Sequence, residues 1–158
     1  MARAFLLLVL VSFVLAGCGK TEKDVTKAQY EQRLDRIGTN LYSAANNLGQ
    51  STATGIFNQN VQALQDVIDD SAKELDGVRP PGIAAQAQND RLVEAYRDLA
   101  DEFDKVKDAR RESYPRAIAA LTAVQHSEPA EESLRAAAQL RKLGFKVPVS
   151  ATIGGTLT

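Results

Sequence analysis

Tryptophan is absent from this 158-residue chain, and cysteine and histidine occur once each. A lone cysteine excludes any disulfide within one chain. One histidine beside one cysteine also falls short of a usual zinc site or an axial haem pair, so no cofactor or metal is expected. An excess of charge is missing as well, with 19 basic side chains against 20 acidic ones. Such a balance does not steer a protein towards polyanions, and nucleic acid is not an expected partner. Aromatic residues are scarce, whereas alanine, leucine, glutamine, aspartate and arginine are abundant, a composition that favours helix over sheet. A long apolar run is the last absence. The one candidate, Phe5 to Ala16, is broken by Ser12 and ends well short of the about 20 residues that a membrane-crossing helix needs.

That short run has a different anatomy. Arg3 gives it a positive start, and the small residues Ala16 and Gly17 close it before Cys18 and the polar residues that follow. Charge, apolar core and small-residue exit in this order are the parts of an export signal. At Leu15-Ala16-Gly17-Cys18 the sequence resembles the lipobox of bacterial lipoproteins. The resemblance implies cleavage before Cys18, which becomes the mature amino terminus and carries two or three acyl chains. Each buried methylene contributes about 0.8 kcal/mol, so two or more chains hold a protein stably on a bilayer that it does not span. Residues 1–17 are thus expected to be a signal peptide and 18–25 a lipidated cysteine with a short tether, of which Gly19 to Asp24 reaches about 20 Å when extended. Within the same family an aspartate after the cysteine favours retention at the inner membrane. Gly19 stands there instead, which leaves the choice of membrane open.

Beyond the tether the hydrophobic period is helical throughout. Thr26 and Gln29 have the spacing of a capping box, and Tyr30, Leu34, Ile37, Leu41, Ala44 and Leu48 form one apolar seam up to Gly49. Gly38 lies beside that seam as a weak point in the helix or a place of close approach. After a serine, threonine and glycine turn, Phe57, Val61, Leu64, Ile68, Ala72 and Leu75 repeat the pattern. Gly77, Pro80, Pro81 and Gly82 then force a connection. A third, longest helix from about Ile83 to Glu112 places Leu92, Tyr96, Leu99, Phe103 and Val106 on one stripe. Pro115 then breaks or kinks the chain, with a break favoured. The later apolar positions are Ile118, Leu121 and Val124, followed after His126 and Pro129 by Leu134, Ala137, Leu140 and Leu143. Gly144 and Phe145 suit a helix stop with an apolar clasp. The run from Pro148 to Thr158 has no period and reads as a loose tail.

Four striped legs joined by short loops can bury their stripes only against one another. The expected fold is therefore all-α: an antiparallel up-down four-helix bundle over residues 26–147, its fourth leg broken near His126, with 148–158 as the tail. Buried alanines would let that leg approach its neighbours closely. A long three-helix coil with a flexible end is the alternative. Val78-Arg79-Pro80-Pro81 between two helices and Leu143-Gly144-Phe145 near the end are similar to features of helical envelope lipoproteins of high-GC Gram-positive bacteria. That likeness implies a bundle and a compartment, and no reaction.

Chemistry is sparsely supplied. His126 beside Ser127 and Glu128 reads as an exposed loop residue, because neighbours on a turn do not automatically share a face. Asp66, Asp69, Asp70 and Glu74 are three and four apart, so they form an acidic helical face that would bind a divalent ion only weakly without a loop to fix the ligands. Gly154-Gly155 has no helix after it to make a phosphate cradle. Tyr96, Phe103 and Tyr114 could line a pocket, although core packing accounts for them. No catalytic residue is assigned. The expected function is a lipid-anchored, non-catalytic envelope module, held by Cys18 and acting through an envelope protein partner or self-association. The alternative is a binding module with a lipid or other apolar ligand enclosed by the Leu92 to Val106 stripe.

Overall fold

The first helix begins where its capping box places it. In a computed structural model that describes residues 23–51 and 54–149, Thr26 Oγ1 accepts from the Gln29 amide at 3.2 Å, and the Thr26 amide donates to Gln29 Oε1 at 2.9 Å. Two first-turn donors are satisfied locally, and helix α1 (Lys27–Gly49) follows. After it come α2 (Thr54–Asp76), α3 (Ile83–Glu112), α4 (Tyr114–Gln125) and α5 (Glu128–Lys142). The architecture is all-α. None of these helices is long and apolar enough to cross a membrane. Residues 1–22, where the signal peptide and the lipidated Cys18 are expected, and residues 150–158 lie outside the described residues.

Helix α3 is the central member, packed against α2, α4 and α5, while α1 leans on α2. Side-chain contacts give the order of the legs. Arg33, early in α1, meets Glu74 near the end of α2 at 3.3 Å, and Asn60 near the start of α2 donates to the Asn47 carbonyl late in α1. Likewise Arg97 pairs with Asp76 at 2.9 Å, whereas Lys107, further along α3, reaches back to Gln62. α1, α2 and α3 therefore alternate in direction. Ser113 ends α3 and caps α4, its extended backbone reversing the chain and its hydroxyl accepting from the Arg116 amide. Pro115 occupies the first turn of α4, where its missing amide costs nothing. A second break at His126 starts α5, whose first turn lies beside Arg91 to Asp98 in the middle of α3.

The predicted seams on α1, α2 and α3 are buried almost to the residue, with Ala45 sealed in place of the half-buried Ala44 and Gly38 also buried. The fourth leg departs from its prediction. Ile118 is 40% exposed, Leu134 37% and Leu143 44%, while Ala117, Ala130, Ser133, Ala136, Ala137 and Leu140 face inward. Tyr96 and Phe103 already fill the space above α3, and only small side chains let another backbone come close. Around α5 the alanine face, not the leucine spacing, decides which side is buried.

One further departure concerns the tether. Lys23–Asp24 forms a strand, β1, paired in parallel with β2 (Val78–Arg79), and Val25 is buried at 8% exposure. The packed part of the chain thus includes Lys23 to Val25, ahead of Thr26. At the other terminus Val147 is buried too, and Arg141 donates to the carbonyls of Val147 and Pro148, so the chain stays fixed beyond α5.

Candidate functional site

Polar groups converge at one end of the bundle, where α1 and α3 begin and α2 and α5 finish. Gly77 and the two prolines stop α2, and the freed backbone of 77–79 has no helical partner for its carbonyls. The incoming chain supplies one: the Lys23 amide donates to the Gly77 carbonyl and the Val25 amide to the Arg79 carbonyl, each at 3.1 Å. Below this clip lies Asn89, only 2% exposed. Its Oδ1 accepts from the Tyr30 hydroxyl at 2.9 Å, and its Nδ2 donates to the Leu75 carbonyl at 3.1 Å. The Val78 carbonyl lies 3.5 Å from the same amide nitrogen. A single amide thereby ties α1, the end of α2, the connection and α3. Burial, helped by the Asp90 carboxylate, raises the Tyr30 phenol far above its ordinary value, so the hydroxyl stays a donor.

The C-terminal segment closes the same end. Gly144 takes positive φ (85°), which frees the Phe145 amide to reach the Leu140 carbonyl at 3.0 Å. Phe145 then meets Tyr30 edge-on at 5.6 Å, with Lys27 Nζ over its other side. The Lys146 amide donates to Glu31. A groove of about 160 Å³ remains between Arg79, Pro80, Gln86 and Asp90, with the sealed Asn89 as its floor. Its amides, Gln86 and Asn89, can position chain or ligand, and Arg79 and Asp90 add one charge of each sign.

No family model, curated protein or solved structure matches the chain. Function must therefore be read from the residues themselves.

The residues singled out in the sequence are scattered. His126 is exposed at the end of α4, and the Ser127 hydroxyl donates to the Val124 carbonyl at 2.8 Å, so the pair makes a helix end rather than a reacting couple. Among the described residues no cluster of histidine, cysteine and acids could hold a metal ion. The acidic strip of α2 is answered from within the chain. Asp66 accepts from Gln62, and Asp69 and Asp70 both reach Lys73, whose ammonium they hold above its usual value through hydrogen bonds. Glu74 is taken by Arg33 and Arg36. Of the possible pocket aromatics, Tyr96 and Phe103 have no exposed surface and Tyr114 lies edge-on to Phe57 at 5.3 Å. The whole Leu92 to Val106 stripe is sealed.

Asn89 and the β1–β2 clip were missed. An asparagine at a helical core phase was the available signal: counting back three from Leu92 lands on it. The strand pairing had no signal, since two residues carry no period.

Proposed function

We propose that the chain is a lipid-anchored, non-catalytic protein of the cell envelope, held on the outer side of a membrane through Cys18 and acting as a helical interaction module. The observation that carries this reading is the complete lipobox at Leu15 to Cys18, with four residues between it and Lys23, a described position paired to the bundle. Two or more acyl chains at Cys18 supply the membrane affinity that a spanning helix would otherwise give. What the module offers a partner is its outer helix faces, whose ion pairs of mixed sign, such as Lys105 with Glu102 and Arg135 with Glu132, suit a protein surface or a second copy more than a polyanion.

The test is direct. Cells fed a labelled fatty acid should mark the wild-type chain and not Cys18→Ala, which should accumulate as unprocessed precursor. Label on the variant would refute the anchor. Cross-linking in cells should then return a defined envelope partner or a dimer of this chain. If native mass spectrometry of the lipid-free body instead finds an apolar molecule bound, the module is a carrier, and the sealed stripe must open to load it.

A further inference from the structure

The largest exposed apolar side chain at the clipped end does no packing work for the fold. Ile83 is 85% exposed, more than any other large hydrophobic residue described. It follows the exposed Pro81 and Gly82, the latter at positive φ (92°), which turns the chain out of the connection and into α3. In a helix the Cα–Cβ bonds tilt towards the N-terminus, so a first-turn residue such as Ile83 is directed off the end of the bundle. Isolated exposed isoleucines are ordinary. The length of chain outside the structure makes this one different.

Only Gly19, Lys20, Thr21 and Glu22 separate Cys18 from Lys23, and Lys23 is hydrogen-bonded to Gly77 across the clip. Five residue steps span at most about 18 Å. Helix α2, 23 residues long, measures about 35 Å. A lipid on Cys18 therefore keeps the clipped end within about 18 Å of the bilayer, and the bundle cannot stand on its far end while the clip holds. Around this end Lys23, Lys27, Arg79, Lys142 and Lys146 stand with Asp24, Glu31, Asp76 and Asp90, so charge is close to balanced and the apolar Ile83 is what distinguishes the surface.

We propose that the Pro81 to Ile83 turn is a second, non-covalent membrane contact, with Ile83 dipping into the headgroup region beside the lipid anchor and setting the bundle end-on to the bilayer. The contact rests on the acylation of Cys18 proposed above. One weak apolar contact is useful only next to a stronger tether, because the tether holds the turn at high local concentration over the surface. The outer helix faces then stand upright on the bilayer and look sideways towards whatever partner they meet.

The test uses the mature chain, purified in detergent and inserted into vesicles of phosphatidylcholine and phosphatidylglycerol, after its intact mass has been measured. An environment-sensitive thiol dye is placed at Ala84→Cys, next to the turn, or at Ile56→Cys at the far end. Nitroxide-bearing lipids should quench the first dye about threefold more than the second, and Ile83→Asp should bring the first down to the second. Equal quenching at both ends, or quenching at position 84 that ignores Ile83→Asp, would overturn the contact and leave the anchor standing. A mass showing a bare thiol at Cys18 would remove the anchor, and the contact with it.

Discussion

The first three helices and the fourth leg bury their inner faces in different ways. On α1, α2 and α3 the large buried side chains are leucine, isoleucine, valine and aromatics at alternating steps of three and four, with alanines such as Ala85, Ala95 and Ala100 between them. On α4 and α5 it is made of alanine, with Val124 and Leu140 as the larger members, and several big apolar residues point outward. The contrast shows that apolar periodicity names the buried face only while the facing surface has room to accept large side chains. Once α3 is lined with Leu92, Tyr96, Leu99 and Phe103, the last neighbour packs by backbone approach.

The sharpest way to break this comparison is to empty the first region. Leu99→Ala should cost about 2–5 kcal/mol, because Leu99 is fully buried where α3 meets its neighbours. Chemical denaturation followed by circular dichroism measures it, and a cost under about 1 kcal/mol would mean that the stripe is loosely packed. Alkali should act on the same region, because the phenols of Tyr30 and Tyr96 are both raised above their ordinary value, chiefly by burial. A raised folded-state value means that this stabilisation is fully present below about pH 10 and is lost as pH climbs from there towards the folded value. Unfolding free energy should accordingly hold to that point and then fall by up to about 1.4 kcal/mol per pH unit for each phenol, with tyrosinate absorbance from these two rising as helix is lost.

Smaller effects sharpen the contrast. Asn89→Ala leaves the Tyr30 hydroxyl and the Leu75 carbonyl without their partner and should cost about 1–3 kcal/mol. Adding Tyr30→Phe should cost less in that background than alone, which a double-mutant cycle reads. Ala136→Leu overfills the close approach of α5 and should also cost about 1–3 kcal/mol. Leu134→Ala, on the outward side of the same helix, should stay within about 0.5 kcal/mol. If the two α5 variants behaved alike, the leg would not be seated on its alanine face.

Much of the architecture was legible because its signals are local. Thr26 with Gln29, Gly49, Pro115 and Gly144 each fix an element boundary through the backbone chemistry of one or two residues, and the structure starts or stops helices there. The burial of Ile118 and Leu134 was misread because it depends on what faces them, a relation between distant segments. The Lys23–Asp24 strand was invisible for the same reason: its partner lies 55 residues away, from Lys23 to Val78. Candidate chemistry fared differently. The α2 acids looked like one bare face, yet Arg33 and Arg36 come from another helix to neutralise Glu74. Cys18, the residue on which the functional reading depends, is legible only as a motif, since the chain before Lys23 lies outside the described residues.

The Ser113 turn has a consequence for how the chain tolerates change. One residue, between Glu112 and Tyr114, serves as the C-cap of α3 and the N-cap of α4, so the connection holds no slack. Inserting a single amino acid there would rotate the whole of α4 by about 100° about its axis and swing Ala117 and Val124 out of their seats. The connection from α1 to α2 spans four positions, 50–53, against the single one at Ser113. Length variation in such proteins should therefore gather at the first reversal and be forbidden at the third.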